Sequence, residues 1–232
     1  MEIMRDSHSE RAVEQALQFG SQIVGASSAC LVWLEDNYEF SIADEYNMPT
    51  DFLARYPKEL RGIDPLNTLA LTMRGARTEM LYHDEIRASD SWTEYVSSIS
   101  QYNFGDEMDM LLWSAGRPIA GLAMFRPPRA SPFQNEHLNW DGIHAHLQHT
   151  IQMHWRVRDE RVRRILSSRC GLQPREIELA QILVQGASNA DIADIMNISV
   201  STVKTHVVNI LNKIGLHSRA EIAAYINYLQ FE

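Results

Sequence analysis

Residues 188–213, SNADIADIMNISVSTVKTHVVNILNK, constrain the fold of this chain more than any other stretch. Two short helical patterns stand there, joined by a tight connection. Ile192, Ala193, Ile195 and Met196 mark an apolar side on the first, and Ser188 is placed to cap its opening amides. Asn197-Ile198-Ser199 breaks the pattern, Asn favouring a turn and Ser199 a second N-cap. The second pattern sets Val203, Val207, Ile210, Leu211 and Ile214 on one stripe at helical steps. Ser201, Thr202, Lys204, Thr205, Val208, Asn209 and Lys213 fall on the other side. A helix that packs along one flank and offers hydroxyls, amides and spaced cations along the other fits a DNA major groove.

Charge bears on that expectation. The chain's 232 residues carry a net charge of −9, which argues against nonspecific coating of nucleic acid. Within residues 170–232, Arg175, Lys204, Lys213 and Arg219 face six acids: Glu176, Glu178, Asp191, Asp194, Glu221 and Glu232. Modest affinity per copy and a need for dimerisation follow. Just upstream, residues 156–169 hold six arginines against Asp159 and Glu160. A domain boundary is expected there, its arginines either touching phosphates or simply suiting a helix C-terminus.

A hydrophobic content of 45% with 22% charged residues suits a soluble globular chain of one large and one small domain. No apolar run reaches the length of a membrane span, and the polar start MEIMRDSHSE is no secretory signal. Cys30 and Cys170, far apart in sequence, fit a reducing compartment, so the expected location is cytoplasmic.

Taken in order, residues 10–25 read as a helix closed by Gly25. Two strands, 29–34 and 38–43, flank Glu35-Asp36-Asn37 as a hairpin. Pro49 opens a helix that Pro57 should stop, and Asp64-Pro65 opens another. A helix over 91–102 precedes two firm strands, 108–113 and 118–125. Ser131-Pro132 then starts one long helix bearing Trp140, Ile143, Leu147, Ile151 and Trp155. The expected fold is an α+β domain, an antiparallel sheet flanked by helices as in PAS and GAF domains, followed by an all-α four-helix domain. The expected domain limits are 1–160 and 172–232, with a linker over 161–171.

The carboxy-terminal segment, LQPREIELAQILVQGASNADIADIMNISVSTVKTHVVNILNKIGLHSRAEIAAYI, resembles the DNA-binding domain of LuxR-type regulators nearly end to end. Leu172, Pro174, Arg175, Glu176, Gly186, Asn189, Ile192, Ser199, Thr202, Val203, Lys204, His206 and Lys213 are among its landmarks. The resemblance implies that Lys204 and Thr205 face base edges, that Thr202, Asn209 and Lys213 lie near phosphates, and that the last helix forms a dimer. It also implies a two-fold DNA site and contact with RNA polymerase. Val208 stands where relatives often carry a polar residue. It is expected either to touch a thymine methyl or to pack on a neighbouring helix.

The first domain resembles the autoinducer-binding domain of the quorum-sensing members of that family. In MPTDFLARYPKELRGIDPL, Tyr56 and Asp64-Pro65 fit the pocket pattern, with Phe52 in the place of a Trp. The resemblance implies an acyl-homoserine lactone or related small ligand. Tyr56 would meet its carbonyl and Asp64 its amide, while Phe52, Trp33, Tyr82, Trp92, Met110 and Trp113 form apolar walls. Two alternatives stand beside this: Asp64 as a cap before Pro65, and a first domain that dimerises or binds protein without any ligand. His137, His144, His146, His149 and His154 crowd one helix, yet surface histidines beside an apolar stripe explain them without a metal. No phosphate-cradling loop or nucleophile elbow is present, so neither an enzyme nor a cofactor is expected.

Overall fold

A computed structural model describes residues 7–35, 37 and 39–230, and divides the chain into two compact units, 1–155 and 156–232. Asp36 of the expected hairpin turn, Tyr38 of the expected strand, Glu232 and the polar residues 1–6 lie outside the described residues.

The first unit is built on a five-stranded antiparallel sheet. Its strands are β1 (Ser28–Leu34), β2 (Phe40–Tyr46), β3 (Thr78–Met80), β4 (Asp106–Ser114) and β5 (Arg117–Arg126), in the spatial order β2-β1-β5-β4-β3. Alternation along β1 sends Cys30, Val32 and Leu34 to one face and Ala29, Leu31 and Trp33 to the other. The first face is covered by α2 (Thr50–Arg55), α3 (Thr68–Arg74), α4 (Asp84–Arg87) and α5 (Trp92–Ser100), through a core of Phe52, Leu66, Leu71, Ile86, Tyr95 and Ile99. On the second face lie α1 (Ser7–Ile23) and α6 (Trp140–Gln152). The expected αβα layering is therefore present.

Three local expectations need correction. Pro57 does not end the helix it follows. Having no N–H to give, it breaks the regular ladder, and the chain passes through a π turn, Tyr56–Leu60, closed by the Arg61 amide on the Tyr56 carbonyl at 2.8 Å. Asp64-Pro65 does not open a helix either; Asn67 caps α3, accepting from the Ala70 amide at 3.0 Å. The long helix from Ser131 is in fact a single 3₁₀ turn, Phe133–Asn135, followed by α6 with its own cap at Asn139.

Gly105 and Pro128 bracket β4 and β5, and they touch. A Cβ on Gly105 would stand 2.2 Å from the Pro128 Cα, so only glycine fits where these two connections cross.

The second unit contains α7 (Trp155–Ser168, from Arg156 on), α8 (Pro174–Val184), α9 (Asn189–Met196), α10 (Val200–Ile214) and α11 (Arg219–Leu229). Residues 161–168, expected as linker, continue α7. Val162 and Leu166, one turn apart, are buried with Leu179, Ile192, Val203, Ile210 and Ile222 in a single core. The arginine-rich segment is thus part of this unit. With it, residues 156–232 carry ten Lys or Arg against eight acids, while residues 1–155 carry eleven against twenty-two.

Candidate DNA-reading helix and sensor cavity

The two helices of the motif are set by their caps. The Ser188 hydroxyl accepts from the Asp191 amide while Asp191 answers the Ser188 amide at 2.7 Å, a reciprocal box that starts α9. Asn197 closes α9 in the left-handed region at φ 52°, and Ser199 starts α10 by accepting from Thr202 at 3.1 Å. Gly215, at φ 78°, ends it. Between those ends Val203 and Ile210 are buried and Val207, Leu211 and Ile214 pack against the core.

All seven residues expected on the outer side are exposed. Ser201, Lys204, Thr205 and Val208 share one stripe at helical spacing, with Thr202 and Asn209 beside it. Ser199, Ser201 and Thr202 join hydroxyls at 2.7 and 2.8 Å. Val208 is 55% exposed, which removes the alternative that it packs on a neighbouring helix.

Lys213 departs from expectation. Its ammonium lies 2.7 Å from Glu176 Oε2 on α8 and 3.2 Å from the Gly171 carbonyl. The Glu176 side chain is only 6% exposed, and although burial opposes it, the Gln173 amide and the Lys213 ammonium hold its carboxyl below the usual range. Lys213 therefore serves the fold before it serves a phosphate.

In the first unit an open-mouthed cavity of about 70 Å³ lies between the sheet and α2. Val32, Phe40 and Ile42 form its outer edge, Phe52, Leu53 and Tyr56 one wall, and Leu111, Gly121, Ala123 and Phe125 its floor. Phe52, Tyr56 and Met110 are among the residues that line it.

The other expected contacts lie elsewhere. Trp33 points to the opposite face of the sheet, its ring 4.8 Å from that of His154. Tyr82 and Trp92 pair edge to face at 5.7 Å and give their donors to the carbonyls of Gly105 and Leu81. Trp113 donates to the Ala76 carbonyl at 3.1 Å, beyond an irregularity in β4. Tyr82, Trp92 and Trp113 are structural fillers whose polar atoms are already satisfied.

Asp64 sits behind the wall, 2% exposed and self-contained. One of its oxygens accepts the Tyr56 hydroxyl at 2.5 Å and the other the Leu66 amide at 2.7 Å. Burial pushes its carboxyl up to about 7, against the pull of those two bonds. The Tyr56 hydroxyl is raised well above the phenol range by burial and by the Asp64 charge.

Two acids that line the cavity, Glu107 and Asp109 on β4, escaped the reading of the sequence. Their signal was available: carboxylates two residues apart share a strand face, and here they interrupt the apolar run of DEMDMLLW. Glu107, 1% exposed, accepts the Tyr95 hydroxyl at 2.7 Å. Asp109 Oδ1 and Thr68 Oγ1 are buried without a hydrogen-bond partner. Among the described residues no group of His, Cys, Asp and Glu is arranged to hold a metal, and no helix is long and apolar enough to cross a membrane.

Residues 171–226 match the family described as bacterial regulatory proteins, luxR family, so the second unit carries a LuxR-family helix–turn–helix domain. Over 59 residues the chain is 46% identical to the nitrate/nitrite response regulator protein NarP of Escherichia coli, covering 25% of this chain and 26% of that protein. Over 54 residues it is 41% identical to the response regulator protein VraR of Staphylococcus aureus, covering 23% and 26%. The chain thus spans about a quarter of the length of these curated relatives. Among solved structures, Escherichia coli SdiA is similar at 19% identity and a TM-score of 0.45, covering 96% of this chain and 90% of that one. The VqsR LBD domain of Pseudomonas aeruginosa is similar at 14% identity and a TM-score of 0.45, covering 65% and 96%.

Proposed function

We propose that this chain is a sequence-specific DNA-binding transcription regulator whose first unit senses a small molecule. The observation that carries the DNA half is α10, capped at both ends, buried along Val203 and Ile210 and exposed along Ser201, Lys204, Thr205 and Val208. A helix held that way enters the major groove with its amino-terminal half toward the bases. Lys204 is the cation on that stripe and takes the role of base or phosphate donor. Two copies acting on a two-fold site supply the affinity that one such helix lacks, with α11 and its exposed Tyr228 (63% exposed) as the dimer-forming element. Such a regulator works in the cytoplasm and acts on RNA polymerase at the promoter.

The cavity supports the sensing half. It is apolar along its walls and polar at a few points, as small-molecule sites are. Ligand binding there would act by favouring one state of the dimer over another. The quorum-sensing reading rests on the Tyr56 and Asp64-Pro65 pattern, with Tyr56 on the wall; its one hydroxyl proton goes to Asp64, so it meets an acyl carbonyl only by giving up that bond. Its amide anchor is weakened, since both Asp64 oxygens already hold protein donors. Fluorescence anisotropy with the full chain and DNA selected from random sequence tests the DNA half. Lys204→Ala should cost about 1–3 kcal/mol of specific binding. Unchanged affinity in that variant removes α10 from the interface.

A further inference from the structure

The polar atoms of the cavity point to the head group of what it binds. Glu107 and Asp109 project from β4 on the cavity side, opposite Phe125 and Ala123 of β5, which bring no polar atom to meet them. Thr68 stands over the same floor, its Cγ2 3.7 Å from where a Cβ on Gly121 would lie. Asp109 Oδ1 and Thr68 Oγ1 have no partner, and no Lys, Arg or His is among the residues that line the space. Buried acceptors without donors are costly, and nearly every such group in a folded protein finds one. Burial first, then the charge of Asp64 and, for Glu107, that of Asp109, lifts both carboxyls well above the usual range. A cation brought among them would reverse that.

Resting on the sensor reading above, we propose that the cavity takes an amine with an apolar body, whose protonated amino group donates to Asp109, Glu107 and Thr68. An ammonium has three donors and no acceptor, and two carboxylates and the Thr68 hydroxyl oxygen can each accept one of them. Phe52, Phe125 and Leu53 receive the hydrocarbon. As the cation seats, the carboxyls release protons to solvent and become the anions it pairs with.

Calorimetry on the full chain decides this, with n-hexylamine and n-octylamine set against 1-hexanol, 1-octanol and octanoyl-homoserine lactone. Each amine should bind about tenfold more tightly than the alcohol of its length, the usual margin of a charged over a neutral hydrogen bond. Asp109→Asn, which removes an unpartnered acid, should melt no lower than the parent and lose that preference while keeping its affinity for alcohol. Thr68→Val should weaken amine binding several-fold and supplies a second readout if the first variant folds poorly. Equal binding of amine and alcohol overturns the proposal. Binding of lactone but not amine overturns it too, yet leaves the sensor reading standing. Binding of none of the five overturns both.

Discussion

Replacing Asp64 by Asn should make the first unit more stable at neutral pH and leave it nearly unchanged in acid. The carboxyl is 2% exposed, and burial carries it from 3.8 in the free state to about 7 in the fold, against the Tyr56 and Leu66 hydrogen bonds. A raised acid stabilises the fold fully below its unfolded value. That stability is then lost as pH climbs to the folded value and stays constant above it. At about 1.4 kcal/mol per pH unit, the interval limits the loss to about 4 kcal/mol. Asn keeps both contacts: its oxygen accepts from Leu66, and its amide donates to a turned Tyr56 hydroxyl. Glu107 and Asp109 are raised as well, in part by the Asp64 charge, so Asn eases them too and that relief adds to the difference between the two proteins, which is the readout. Trp33, Trp92, Trp113 and Trp140 stand in elements of the first unit and Trp155 at its last residue, so urea unfolding followed by tryptophan fluorescence reports chiefly this unit. The variant's advantage should grow from near zero at about pH 4 to about 4 kcal/mol by about pH 8. A constant difference across that range, or a variant less stable at the alkaline end, refutes the reasoning.

Two further substitutions test the fold that presents these sites. Lys213→Met leaves the Glu176 carboxylate without its ammonium and should cost the second unit roughly 1–3 kcal/mol, read by circular dichroism in urea; adding Glu176→Gln should restore most of it. Gly105→Ala drives a Cβ into the Pro128 backbone and should lower the stability of the first unit by about 2–4 kcal/mol, again by tryptophan fluorescence.

The second unit was almost wholly legible in the sequence because its information is local. Ser188 and Ser199 stand at helix starts in both sequence and structure, and the stripe from Val203 to Ile214 faces the core. What escaped there was long-range: Lys213 reads as a surface cation until α8 brings Glu176 beneath it. In the first unit the order of strands and helices was also readable. The pocket was not, because aromatic residues say nothing of which sheet face they occupy until the register is fixed. Trp33 fell on the far face by one step of alternation, while Glu107 and Asp109 fell on the near one. Local breaks misled as well. Pro57 reads as a stop, and the chain absorbs it in a π turn that still delivers Tyr56 to the cavity.

The distribution of charge ties the two units to one requirement. The first unit, with twice as many acids as cations, repels DNA at long range, and the second is close to balanced. On α10, with Lys213 engaged by Glu176, Lys204 is the cation left for a phosphate or base. Affinity for DNA rises with the number of phosphates neutralised, and the slope of its logarithm against that of salt concentration is about −0.9 per phosphate. One copy therefore begins with a shallow slope and weak binding. The arginines of α7, with Arg169, Arg175 and Arg219, are the other positive charges of the same unit, and a second copy doubles whatever the first provides. On the function proposed above, such a chain would act as a pair, and a small molecule that altered pairing by a few kcal/mol in the first unit would have enough leverage to switch the second.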